Sequence, residues 1–292
     1  MYETQGASPK AVQFHYDLSN DFYAQWLDSS MTYTCALFED RETIGDLFTA
    51  QLRKIDFFAS HLAIGNGTRI LDVGCGWGGM LKRMVEHHGA DNGVGLSLSK
   101  AQAEWFMASP VPAVEMRVES WEDHHPTHSY DAIVSIEAIE AFVKPGLRSE
   151  QRVDIYRHFF QRCHSWLKPG GRLGLQAIAY GNSGPEDLDA FISNQIFPEN
   201  DLPRLCELAI AAERLFEIKL IVNHRDHYVR TLRAWLDQLR AHREKANNIV
   251  GVESVLRYEE YLRLSIYIFS SGSCDLLRII MKRIDFPRNR GN

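Results

Sequence analysis

The apolar positions of this chain alternate between two rhythms. Short runs that are apolar on both faces, at Ile70-Leu71-Asp72-Val73 and at residues 92–99, 131–136 and 172–179, read as buried strands. Between them apolar residues recur at helical spacing, as in Leu81, Met84, Val85 and His88 before a stop at Gly89. Strand alternating with helix in this way predicts an α/β fold built on a doubly wound sheet. Two further strands are expected late in the chain, at residues 216–221 and 273–281, the second as a final antiparallel strand.

The same pattern places helices outside the sheet. Ser19 or Asn20 caps one that carries Phe22, Tyr23 and Trp26; Thr43 caps another with Phe48, Leu52, Ile55, Ala59 and Leu62 on its apolar side, ended by Gly65 or Asn66. A helix before the fifth strand ends at Lys168-Pro169-Gly170-Gly171. Residues 181–215 are too long for a plain connection and read as an inserted cap with a helix over 202–214. Two amphipathic helices follow, one through Leu232, Trp235, Leu236 and Leu239, the other from Leu256 through Tyr258, Tyr261, Leu262 and Ser265 to Phe269. The expected organisation is a single domain. Residues 1–65 form an N-terminal helical lid, 66–180 the nucleotide-binding core, and 181–215 with 227–271 the cap segments that bind an acceptor.

The candidate chemistry begins at the first crossover, Leu71-Asp72-Val73-Gly74-Cys75-Gly76-Trp77-Gly78-Gly79. Gly74, Gly76 and Gly79 match the dinucleotide pattern G-x-G-x-x-G, a weak signal alone. A dinucleotide site also wants an acid about 20 residues further on, at the end of the second strand, to bind ribose. That strand ends in Ser97-Leu98-Ser99. The acid stands at the end of the first strand instead, as Asp72. This suits a ligand that lacks a pyrophosphate and presents a sulfonium and an ammonium, so the loop reads as a site for S-adenosylmethionine (SAM).

Composition narrows the picture without changing it. At 292 residues, 45% hydrophobic, with a formal net charge of −6, the chain has an ordinary globular make-up that argues against a nucleic-acid partner. Five cysteines without paired spacing, one of them inside the glycine loop, point to reduced thiols and a cytoplasmic location. No run approaches the ~20 apolar residues of an integral membrane segment. The pairs His87-His88, His124-His125 and His224 with His227 lack a third ligand at suitable spacing, so no metal is expected. A homo-oligomer stays open.

Several longer motifs together resemble the cyclopropane-fatty-acid synthase family, and within it the mycolic acid cyclopropane synthases and methyltransferases. They are His15-Tyr16-Asp17-Leu18-Ser19-Asn20-Asp21-Phe22-Tyr23, Met31-Thr32-Tyr33-Thr34-Cys35-Ala36, Ala50-Gln51 with Lys54, the glycine loop, Gly95-Leu96-Ser97-Leu98-Ser99 with Gln102, and His227-Tyr228 through Trp235. The resemblance implies a class I (Rossmann-like) SAM-dependent methyltransferase with a helical lid, a cap and an acceptor tunnel. It implies that Tyr33 and Thr34 contact the methionine part of SAM beside Asp72 and the backbone of Gly74 and Gly76. Leu96 and Gln102 would lie near ribose and adenine, Trp121 and Glu122 would hold the adenine, and Ile136, at the end of the fourth strand, would also bind the cofactor. His15 would help close the lid.

For catalysis the resemblance implies a bicarbonate ion as base, held by a glutamate, a histidine, a tyrosine and backbone near a cysteine. Glu140, Tyr228 and Cys35 match three of these positions. Gln176 stands where the family commonly has the histidine, and Ala141 follows Glu140 where it commonly has a second one. Glutamine donates a hydrogen bond but cannot shuttle a proton. The expectation is therefore C-methylation of an alkene or an electron-rich aromatic carbon of a small-molecule acceptor, with Glu140, alone or through bicarbonate, assisting deprotonation. The alternatives are a cyclopropane synthase acting on a lipid or carrier-bound acyl chain, a small-molecule N-methyltransferase, and a non-catalytic SAM-binding module.

Overall fold

The computed structural model describes residues 19–39, 47–187 and 200–286. His15 and the Thr43 cap lie outside the described residues. Strands β1 (Arg69–Val73), β2 (Asn92–Ser97), β3 (Val114–Val118), β4 (Tyr130–Ile136), β5 (Leu167–Tyr180), β6 (Phe216–Asn223) and β7 (Cys274–Arg283) form one sheet in the order β3-β2-β1-β4-β5-β7-β6. β7 alone is inverted, pairing antiparallel with β5 on one side and β6 on the other. The order reverses at β1 and β4, and ligands of open α/β sheets bind at that switch point, outside the carboxyl ends of the strands.

The helices are α1 (Asn20–Tyr23), α2 (Leu47–Leu62), α3 (Gly79–Glu86), α4 (Lys100–Ala108), α5 (Ser149–Trp166), α6 (Leu205–Ala212), α7 (Arg225–Ala241), α8 (Arg243–Val250) and α9 (Val252–Ser271). On one face of the sheet Phe159 and Phe160 of α5 and Leu208 of α6 pack against β4, β5 and β6; on the other Phe58 and Leu62 of α2 join Leu81 and Met84 of α3. Both faces being covered is why β1 and β4 read as unbroken apolar runs. A third apolar cluster lies apart from these, where Phe22, Tyr23 and Trp26 meet Trp77 of the glycine loop, Trp235 of α7 and Tyr258 and Leu262 of α9. The N-terminal aromatics thus pin their segment to the cap helices and to the loop.

Some elements differ from the pattern-based expectation, each for a physical reason. α1 is one turn long, because the chain after Tyr23 bends to drop Trp26 into the aromatic cluster. Leu167 already pairs with Tyr130, so β5 begins ahead of the Pro-Gly-Gly turn, across a register shift. β7 runs on to Arg283, whose guanidinium donates to Leu167 O at 2.9 Å. α6 packs on α5 and the sheet, where Arg152 holds Glu207 of α6 and, just before it, Asp201 and Leu202 O. α8 buries only Ala246, so it shows no apolar stripe to read.

Candidate active site

The turn after β1 forms a cradle. Gly74 N and Cys75 N both donate to Leu96 O of β2, at 3.0 and 2.9 Å, which bends the chain across the top of the neighbouring strand. Gly74 has φ +86°, and a Cβ there would come within 2.4 Å of the Ala138 Cβ. Gly76, at φ +54°, has nothing within 4 Å of where a side chain would point, so its backbone faces open space. Asp72 is 2% exposed and its Oδ1 has no hydrogen-bond partner among the described residues. Burial pushes its carboxyl up to about 7. A buried acid without a partner beside an open glycine turn is completed by a cation, and these residues fit SAM.

The residues expected around that cradle are held by its neighbours. From α2, Lys54 Nζ donates to Thr34 Oγ1 at 2.6 Å and Gln51 Nε2 to Thr34 O at 2.7 Å, fixing the Tyr33-Thr34 segment. The Tyr33 ring packs between Trp26 and Trp235, each centroid 5.1 Å away. Leu96 is buried, and Ser97 Oγ donates to Gln102 Oε1 at 2.8 Å. Trp121 packs against Phe142 and Phe159 at 5.3 Å in the sheet's core, with Glu122 exposed beside it. Ile136 is buried at the end of β4.

The chain then turns at Glu137, whose φ of +51° lies in the left-handed region that non-glycine residues rarely take. Its N–H donates to Gln176 O at 2.7 Å. Its carboxylate accepts from three donors. Cys35 N and Gln176 Nε2 reach Oε1 at 2.9 and 2.6 Å, and Tyr228 OH reaches Oε2 at 2.6 Å. Gln176 and Arg278 are register partners across β5 and β7, and fully buried Arg278 donates from Nε to Gln176 Oε1 at 2.6 Å. That bond sets the direction of the amide and turns its NH2 toward Glu137. Arg278 also donates to Cys35 O and Ala36 O, both at 3.0 Å, and meets His224 Nδ1 at 2.6 Å. Burial and the facing guanidinium push His224 down to about 4, so its ring is neutral and accepts.

This corrects the expected grouping. Cys35, Gln176 and Tyr228 do come together, but around Glu137 and not around Glu140. Glu140 sits in the 3-10 turn Ile139–Ala141, where its Oε1 accepts from Ile178 N at 2.5 Å and its Oε2 has no partner among the described residues. The left-handed residue reverses the chain at the strand end, so the first carboxylate of the turn faces residues 33–36 and the second faces the backbone of β5. A bicarbonate ion does not fit these residues. The Cys35 amide and the Tyr228 hydroxyl, which the resemblance assigns to that ion, already donate to Glu137.

Electrostatics separate the two acids. Burial raises Glu137, while the hydrogen bonds from Tyr228, Cys35 and Gln176 oppose the rise. Burial and the nearby charge of Glu137 push Glu140 up to about 8. Glu137, with three donors on its carboxylate, is the stronger acid of the pair. Burial pushes the Cys35 thiol up to about 12, which leaves it no nucleophile, and pushes Tyr228 well above its ordinary range, which keeps it a donor. Lys54 is drawn down to about 8 by burial.

Sequence reasoning passed over Glu137, Lys54 and Arg278 as site residues. Arg278 carried a signal, a lone charge inside the apolar run Leu276-Leu277-Arg278-Ile279-Ile280. Glu137 carried a weaker one, as the first acid after β4. No described helix is long and apolar enough to cross a membrane.

The sheet order, the glycine cradle and the partnerless acid at the end of β1 define a class I SAM-dependent methyltransferase. Residues 4–279 match the model of the mycolic acid cyclopropane synthetase family, and the chain belongs to that family. It is 33% identical over 285 residues to hydroxymycolate synthase MmaA4 of Mycobacterium tuberculosis, covering 90% of this chain and 89% of that one. Among solved structures, the cyclopropane synthase MmaA2 from Mycobacterium tuberculosis superposes with a TM-score of 0.85 at 30% identity, over 96% of this chain and 100% of that one. Mycolic acid cyclopropane synthase CmaA1, complexed with SAH and CTAB, superposes with a TM-score of 0.84 at 30% identity and the same coverage.

Proposed function

We propose that this methyltransferase transfers a methyl group to carbon, on an alkene or an electron-rich aromatic acceptor, through a carbocation-like intermediate and without closing a ring. Bound SAM supplies an electrophilic methyl on a cationic sulfur. Asp72 holds the cationic end of the donor, and the Gly74 and Gly76 backbone lets it approach. The half-buried ring of Tyr33, backed by Trp235, stabilises positive charge on the acceptor through its face. A carboxylate after β4 then receives the proton. The observation that carries the reading is the direction of Gln176: with Oε1 taken by Arg278 and Nε2 donating to Glu137, this amide has no proton to relay.

A second reading, cyclopropane formation on an acyl chain, is favoured by the likeness to MmaA2 and CmaA1. Deuterium separates the two. With SAM labelled as CD3 and a panel of an oleoyl phospholipid, an oleoyl thioester, a prenyl alcohol and catechol, a C-methyl product keeps all three deuterons, whereas a cyclopropane keeps two. Loss of a deuteron from the transferred group overturns the proposal.

A further inference from the structure

We infer that the Glu137 carboxylate is a covalently built-in replacement for a bound anion, serving as the general base among Cys35, Gln176 and Tyr228, so that the enzyme works without bicarbonate. A carboxylate and a bicarbonate present the same planar pair of oxygens, and a donor N–H or O–H spent on one is withdrawn from the other. Here a backbone amide, a side-chain amide and a phenol all point at the two oxygens of one side chain, at 2.6–2.9 Å. The set is braced from behind, since Arg278 orients Gln176 and also fixes the Cys35 and Ala36 carbonyls.

Two further observations point the same way. Glu137 adopts φ +51°, a conformation costly for a residue with a side chain, on the order of 1–3 kcal/mol, and kept when the surroundings demand it. It is also half-buried, whereas Tyr228, Gln176 and Cys35 behind it are buried, and it shares this partial exposure with Tyr33, Thr34, Ala138 and Ile178. Its carboxylate is therefore fixed at the rear, on a residue that lies at the margin of the partly exposed group where an acceptor would lie. The nearby Glu140 holds its own proton and adds no second negative charge near neutral pH. In the step itself, the C–H bond of the cationic adduct breaks toward a Glu137 oxygen. The proton goes to the carboxylate, and the electron pair stays on carbon as the new π bond. The inference rests on the proposed methyl transfer for its step, but not for what occupies the donors.

The test uses the full chain saturated with S-adenosylhomocysteine, in carbon-dioxide-stripped buffer. Sodium bicarbonate titrated by calorimetry should give no heat of binding with the wild type and saturable binding with Glu137→Gly. Glycine suits φ +51° and empties the donors, and an unchanged affinity for S-adenosylhomocysteine reports that the variant is folded. Turnover on the acceptor panel should be unaffected by bicarbonate in the wild type, fall about 100-fold in Glu137→Gly, and recover about 10-fold with added bicarbonate or formate. Glu137→Gln, which fills the same space, should lose turnover without rescue. Bicarbonate binding to the wild type, a loss of wild-type turnover on stripping that bicarbonate restores, or full activity in Glu137→Gln overturns the inference. If deuterium counts refute C-methylation while the calorimetry holds, the proposed function falls and the occupation of the donors stands.

Discussion

Glu137 and Glu140 share a single turn and burial raises both carboxyls, but only Glu137 meets three donors that oppose the rise. Glu140 meets only backbone donors, among them Ile178 N, and has an ordinary value of 4.5 that burial lifts to about 8. Between those limits the folded protein retains a proton that the unfolded chain has given up, so this group's contribution favours folding at low pH and is lost as pH rises toward 8. Thermal unfolding followed from pH 5 to 9 should show the wild type losing stability relative to Glu140→Gln over that window; parallel curves would show that Glu140 is ionised throughout. Asp72 obeys the same sign in the free protein, with about 7 in place of 3.8. A cationic donor favours its ionised form, so binding releases a proton and SAM affinity should rise between pH 6 and 8. Asp72→Asn should bind more weakly and flatten that slope, as read by calorimetry in buffers of different ionisation enthalpy. The motifs that carry the resemblance single out Cys35 and Tyr228, which meet at Glu137. They do not single out Glu137, because its role depends on a backbone reversal that no propensity signals.

Among the elements, the short α1 carries more than its length suggests. Ser19 caps it, Asn20 Nδ2 donates to Ala101 O at 2.9 Å, and Trp77 Nε1 of the glycine loop donates to Asn20 Oδ1 at 2.8 Å. Tyr23 closes the contact, its ring 5.2 Å from Trp77 and its hydroxyl 2.9 Å from that of Tyr258. The entry segment is thus tied to the cradle and to the cap at once. Trp77→Phe keeps the aromatic packing and removes one hydrogen bond, worth about 1 kcal/mol. The expected result is a melting temperature about 2–4 °C lower and a severalfold weaker SAM affinity, while an unchanged affinity would show that α1 does not support the cradle. The pattern of apolar residues gave these aromatics a helix but not a destination. A bulky ring at helical spacing packs equally well on a sheet or on another helix, and only the tertiary contacts with α7 and α9 decide.

At the scale of the molecule, the order of alternating strands and helices followed from period and turn chemistry, as did the inverted last strand. These signals are local, and both faces of the sheet are covered. For the connection after β5, length alone marks an insertion without saying where it docks; Arg152 on α5 fixes the end of that segment through Asp201 and Glu207. The SAM cradle was legible because glycines and an acid at a strand end have few other uses. The carboxylate proposed as base was not, since the group around it joins residues 35, 137, 176, 228 and 278, far apart in sequence. One measurement tests the whole arrangement most directly: a crystal structure of the S-adenosylhomocysteine complex grown in bicarbonate. The account predicts the sulfur over the Gly74–Gly76 turn and the Glu137 carboxylate still held by Cys35, Gln176 and Tyr228. A planar anion seated on those three donors with Glu137 swung away would contradict it.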